Sequence, residues 1–223
     1  LSPSGKAASR EEPARRRVRF ANARPPKPLL TPETEAKLTP RQQEVLDQLE
    51  DLVEEDGLSQ LTMGKIAALM GCSLRTLYGI SPSKDELVLA AVDRNLRRIG
   101  REAIESLDPD MPPLDMLRAY LSAANLAVEP KRMMFARELG SIPAFQRLGD
   151  AHEYYLTAVT KSLLDRAVDE GDIAKIDTAA LAHVLAGLGR DLAQADVREV
   201  LEDTPRKTAA QIVDTIIKGL TRD

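Results

Sequence analysis

Tryptophan is absent and aromatic residues make up only 3% of the chain, whereas Ala, Leu, Glu, Arg and Asp are plentiful. So few sheet-preferring side chains favour helix. The single cysteine, Cys72, excludes an intramolecular disulfide. No apolar run approaches the roughly 18 residues that a membrane span needs. The opening LSPSGKAASREEP has neither the apolar block nor the cleavage pattern of a secretory signal. Together these absences predict a soluble, cytoplasmic protein with no membrane partner. At 223 residues the chain suits one or two modest domains that bury their cores without metals or staples.

Groups that carry chemistry are equally scarce. There are two histidines, no Gly-rich phosphate loop, no H-E-x-x-H and no nucleophile elbow, so catalysis would have to rest on carboxylates scattered over an acidic helical surface. The expectation is that the protein is not an enzyme and uses no cofactor. His183 has no histidine or cysteine partner at metal spacing, so no metal site is expected. Cys72 sits at an apolar position and reads as small packing.

Charge is unevenly placed. The formal net charge is −4, yet residues 1 to 38 carry nine Lys or Arg against four Glu. Within this stretch ARRRVRFANARPPKP combines a charge block with repeated Pro and has little periodicity, so residues 1–38 are expected to form a disordered basic arm. Such an arm is either a solvated tail or a nonspecific, salt-sensitive DNA contact. A second asymmetry is an absence: acids number 35 of 223 residues, yet none occurs from Gly57 to Lys84. Within that run, GKIAALMGCSLRTLYGISPSK carries three cations, as a segment facing a phosphate backbone would.

Helix signals run the length of the chain. Thr39 as cap, Pro40 at the first position and Gln42 closing a capping box predict a helix over 40 to 55, with Val45, Leu49, Leu52 and Val53 on one face and Gly57 as its stop. Thr62 can cap a helix to Met70, Ser73 one to Ile80, and Ser83-Lys84-Asp85-Glu86 forms another capping box, continued by Leu87, Val88, Ala91, Leu96 and Ile99. Past Pro112-Pro113 longer amphipathic segments follow. They are marked by Leu114, Leu117, Leu121 and Ala124; by Met133, Met134 and Phe135; by Leu148, His152, Tyr155, Val159 and Leu163; by Leu181, Val184, Leu185, Leu188 and Leu192; and by Ile212, Val213, Ile216, Ile217 and Leu220. The predicted fold is all-α, with a DNA-binding domain over 39–100 and a larger helical regulatory and dimerisation domain over 101–223.

Two helices that meet sharply need a small residue at their contact, a permissive one at the turn and apolar residues behind both. Ala67, Gly71, and the set Ile66, Met70, Leu77 and Ile80 meet those needs. With Thr76-Leu77-Tyr78 and Pro82-Ser83-Lys84-Asp85-Glu86-Leu87 following, residues 40 to 95 resemble the tetracycline-repressor (TetR) family of bacterial transcriptional regulators. Its signature reads T-x-x-x-I-A, then G-x-S-x-x-T-L-Y, then P-S-K-E-x-L. One departure is that Gly79-Ile80-Ser81 stands where the family usually has an aromatic before Pro-Ser-Lys, and Gly79 weakens the end of a short helix by roughly 1 kcal/mol relative to Ala.

The resemblance implies a helix-turn-helix that reads double-stranded DNA. Thr62 and Ser73, as caps, can also bond phosphate oxygens, and the resemblance places Tyr78 and Lys84 at the backbone. Arg75 is the expected base reader, since a guanidinium can bond guanine O6 and N7 together; Leu74, Thr76 and Gly79 are the other positions that could approach bases. One short helix reads few base pairs, so a homodimer on a two-fold symmetric operator is expected, paired through helices near 178–195 and 205–220. The resemblance also implies a small effector in the C-terminal domain. The candidates for its pocket are Met116, Tyr120, Met133, Met134, Phe135, His152, Tyr154 and Tyr155, which would suit a mostly apolar ligand. Repression is the expected sign of regulation, because a bound dimer obstructs polymerase. The rival expectation is a helical adaptor without sequence-specific DNA binding, which leaves the acid-free run unexplained.

Overall fold

The computed structural model describes residues 18–55, 61–124 and 142–221 of the chain. Among them are ten helices: α1 (Pro32–Glu35), α2 (Pro40–Glu55), α3 (Met63–Leu69), α4 (Leu74–Tyr78), α5 (Lys84–Glu105), α6 (Pro113–Ala124), α7 (Pro143–Asp169), α8 (Thr178–Leu192), α9 (Ala195–Arg198) and α10 (Pro205–Leu220). The described residues contain no strand, only an isolated antiparallel bridge between Ile173 and Thr221. The expected marks at Val53 and Gly57, and the segment with Met133, Met134 and Phe135, involve side chains outside those described.

Predicted helix starts and observed ones agree because the caps work as bonds. The Thr39 N–H donates to Gln42 Oε1 at 2.9 Å, and the Gln42 N–H donates back to Thr39 Oγ1 at 3.3 Å. Thr62, Ser73 and Ser83 accept from the backbone N–H three residues on, at 3.2, 3.1 and 3.2 Å.

Two apolar cores organise the helices. The first gathers Val45, Leu46 and Leu49 of α2, Ile66 and Ala67 of α3, Leu77 of α4 and Leu87, Val88, Leu89, Ala91 and Val92 of α5. In the second are Ala103 of α5, Met116, Leu117 and Tyr120 of α6, Val159, Leu163 and Leu164 of α7, Leu185 of α8, and Val213 and Ile217 of α10. Two helices belong to both. α5 runs unbroken past residue 100, and α7 starts with Leu148 in the first core and ends in the second. No linker marks the expected boundary at 100; the two cores share rigid elements.

The expected disordered arm is corrected over its second half. Residues 18–30 form a strap that crosses from one core to the other: Val18, Phe20 and Ala23 pack into the second core, and Leu30 packs against the first. The backbone of the strap is bonded as well as packed. The Leu29 N–H donates to Asp93 Oδ2 at 2.8 Å, and Arg97 Nη1 donates to the Pro26 carbonyl. Apolar side chains scattered without a helical or strand period thus find tertiary partners, and α5 supplies polar groups for the backbone between them. Residues 1–17 of the arm lie outside the described residues.

Candidate nucleic-acid interface

α3 and α4 meet as a helix-turn-helix. Gly71, between them, has φ +56°, the left-handed conformation for which the turn requires glycine. The turn is held from outside by α2. Arg41 Nη2 donates to the carbonyls of Met70 and Gly71 at 2.6 and 3.0 Å, satisfying acceptors at the end of α3. Behind the pair, Ile66 and Leu77 are fully buried, and Ile80 is nearly so.

With one face of α4 buried, the other is open. Leu74 is 46% and Tyr78 54% exposed, although Leu77 between them has no exposure at all. Arg75 is exposed too. Large apolar and cationic side chains are thus held outward on a five-residue helix. A surface groove of about 530 Å³ runs along this face, lined by Ser73, Arg75, Thr76, Tyr78 and Gly79 with Thr39, Arg41 and Gln42 of the α2 end. Five of the expected DNA-binding residues are therefore gathered in one groove, while Thr62, Leu74 and Lys84 lie outside its lining. Thr62 nevertheless caps α3, and Lys84 opens α5.

Sequence reasoning missed the part played by α2. Gln42 Nε2 donates to the Thr76 carbonyl at 3.4 Å, and a Cβ at position 79 would stand against that same amide nitrogen. Gly79 thus makes room for a bond that fastens α4 to α2. Lys65 and Leu69, exposed on α3, were also unforeseen; Leu69 is 58% exposed. Cys72 is half-buried rather than buried, and burial pushes its thiol up, with Arg41 opposing the shift only in part. A thiol held protonated is a poor nucleophile or redox switch.

Among the described residues of the expected ligand-pocket set, His152 and Tyr155 line one cavity, and Met116, Tyr120 and Tyr154 do not line it. Met116 and Tyr120 are sealed in the second core, where burial pushes the Tyr120 phenol far above its usual range. Tyr154 is 74% exposed, a correction that follows from helical geometry: Tyr155, one residue on, lies about 100° around α7 and takes the inward position. His152 is mostly buried and its Nε2 lies 3.2 Å from Asp93 Oδ1, so the same carboxylate holds α7 and the strap. Among the described residues no group of His, Cys, Asp and Glu is arranged to hold a metal ion, and no helix is long and apolar enough to cross a membrane.

The arrangement of helices matches known proteins. A TetR transcription regulator from Haloarcula marismortui superposes with a TM-score of 0.68, covering 82% of this chain and 98% of that one at 20% identity. The fold is that of the TetR family of transcriptional regulators. A transcriptional regulator from Saccharomonospora viridis in complex with choline superposes with a TM-score of 0.67 over 82% of this chain and 98% of its own, at 18% identity. In sequence, the HTH-type transcriptional regulator YvaF of Bacillus subtilis is 27% identical over 177 residues, 77% of this chain and 91% of that protein. No family model matches the chain. These similar proteins are transcriptional regulators, not enzymes.

Proposed function

We propose that the chain is a DNA-binding transcriptional regulator that reads a two-fold symmetric operator as a homodimer and is released from it by a small, mostly apolar effector. The observation that carries this reading is the split character of α4: Leu77 is fully buried against the first core, while Leu74, Arg75 and Tyr78 stand outward from an acid-free stretch. In a major groove, Arg75 would read a guanine edge, Leu74, Thr76 and Gly79 would approach neighbouring bases, and Ser73, Thr62, Tyr78 and Lys84 would hold phosphates. Repression follows most simply, since an occupied operator blocks polymerase.

Dimerisation is assigned to α8 and α10. α8 carries His183 and Val184 on its exposed side, with Val184 55% exposed, and the exposed Ala179 and Ala180 at its start would admit a partner helix closely. Ile212, Ile216 and Leu220 of α10 are only half-buried within one chain. An effector is supported by the choline complex of the Saccharomonospora viridis regulator.

The deciding experiment is selection of bound fragments from the source genome at about 150 mM salt, where nonspecific phosphate binding is reduced, together with light scattering of the free protein. Recovery of a two-fold symmetric sequence by a dimer supports the proposal. A protein that enriches no sequence, or that remains monomeric, refutes it in favour of a helical adaptor.

A further inference from the structure

Between the strap and the helices lies a cavity of about 390 Å³. Its floor is one face of α5, with Leu96, Gly100 and Ile104 in line and Arg97, Arg101 and Glu105 beside them. His152 and Tyr155 of α7 close one side, and Val18, Arg19, Pro25 and Pro26 of the strap form the roof.

Gly100 is the informative residue. A glycine in mid-helix weakens it relative to alanine, and here no atom lies within 4 Å of where its Cβ would stand. Gly149 and Gly219 also have open space around them, but both face solvent, whereas Gly100 is half-buried beneath the roof. The missing side chain therefore enlarges the space beneath the strap and relieves no crowding. The lining is apolar along the α5 stripe and cationic at its margins, with Arg19, Arg97 and Arg101 against the one carboxylate of Glu105. Arg97 is occupied with the Pro26 carbonyl, while neither Arg19 nor Arg101 makes an ion pair among the described residues.

We infer that this cavity is an effector site for a small carboxylate with an apolar body, and that the strap is its lid. The apolar part lies over Gly100 between Leu96 and Ile104, and the carboxylate meets Arg101 and Arg19 at the edge, where a guanidinium can hold it by two bonds. Occupancy is coupled to the DNA-reading half through the neighbouring latch. His152 lines the cavity and bonds Asp93, which also holds the Leu29 N–H of the strap. A ligand that moves His152 or the roof acts on the segment joining both cores, and it shifts operator affinity by its preference between the two states. This coupling rests on the regulator reading; the binding site does not.

The test uses the full chain and two carboxylate probes, octanoate and 4-phenylbutyrate, with octylammonium as the charge-reversed control, followed by calorimetric titration without DNA. Saturable binding of at least one carboxylate is expected, with none of the ammonium. Gly100→Leu should weaken it tenfold or more, Arg101→Gln several-fold, and Gly100→Ala, which is a better helix former and adds one methyl, much less. No binding of either carboxylate, equal binding of octylammonium, or carboxylate binding indifferent to both Gly100→Leu and Arg101→Gln overturns the site. Operator affinity is measured separately. Carboxylate binding that leaves operator affinity unchanged overturns the effector role, and carboxylate binding by a protein that recognises no operator upholds the site while refuting the regulator.

Discussion

The two cores are secured in different ways. Around the helix-turn-helix the elements are short, seven residues in α3 and five in α4, and such helices are not stable alone. Their ends are therefore tied by side-chain bonds: Thr62 and Ser73 at the starts, Arg41 on the carbonyls of Met70 and Gly71, Gln42 on that of Thr76. In the second core α7 is 27 residues long and α10 is 16, and broad apolar faces around Tyr120, Leu163, Leu164 and Ile217 hold them. The difference teaches where function is fixed. An element positioned by specific bonds presents its outward residues in one orientation, as base reading requires; elements held by apolar faces can slide by small steps, as an effector response requires.

The comparison can be broken most forcefully at α4. Leu77→Ala removes a fully buried side chain from the first core and should destabilise the protein by about 2 to 5 kcal/mol in urea denaturation. Leu74→Ala, three residues earlier and 46% exposed, should change stability by no more than about 0.5 kcal/mol yet weaken operator binding. Similar losses of stability from both would show that the outward face is structural. Next in size is Arg75→Ala, expected to lose about 1 to 3 kcal/mol per half-site and to relax preference at one position; an unchanged sequence preference would remove Arg75 as a base reader.

The latch between the cores ranks third. Asp93→Ala leaves the Leu29 N–H and His152 without their shared acceptor, at about 1 to 3 kcal/mol. Hydrogen exchange at the Leu29 amide should accelerate in this variant, whereas amides within α4 should keep their protection. Acceleration throughout α3 and α4 would mean that the strap braces the helix-turn-helix itself.

Legibility divides along the same line. Caps and turns are local, so Thr39, Thr62, Gly71, Ser73 and Ser83 could be read in order from the chain, and they placed α2 to α5 closely. The long helices declared themselves by period, but periodicity does not tell which neighbour an apolar face meets. Period set Tyr155 rather than Tyr154 on the apolar stripe of α7, yet it could not show that Tyr155 packs against the second core. The strap was illegible for another reason. Val18, Phe20, Ala23 and Leu30 follow no repeat, and beside so much Pro and Arg they looked like a solvated arm; only the placement of Asp93 and Arg97 on α5 gives that backbone its partners. Gln42 behaved likewise, since its capping role was visible and its second bond to Thr76 was tertiary.

The smallest expected effects set the two cores against each other by pH. Glu50 is buried beneath α5, and desolvation pushes its carboxyl up despite the opposing pull of Arg94 and, more weakly, Arg98. At Asp165, partial burial pushes upward as well, but hydrogen bonds from Lys161 and Thr178 together outweigh it and hold the group below its ordinary value. The signs are therefore opposite. For Glu50 the folded state binds the proton more tightly, so its contribution is present below the ordinary value of 4.5 and declines as pH rises through the folded value. For Asp165 the unfolded state binds the proton more tightly, so its contribution is present above 3.8 and declines as pH falls through the folded value. Relative to the unsubstituted protein, Glu50→Gln should thus gain stability as pH rises above 4.5, whatever its absolute loss from the missing Arg94 partner. Asp165→Asn should instead lose least at the acid end. Urea midpoints measured from pH 3 to pH 7 separate the two, because parallel curves for Glu50→Gln and the unsubstituted chain would show that Arg94 compensates the burial of Glu50 in full.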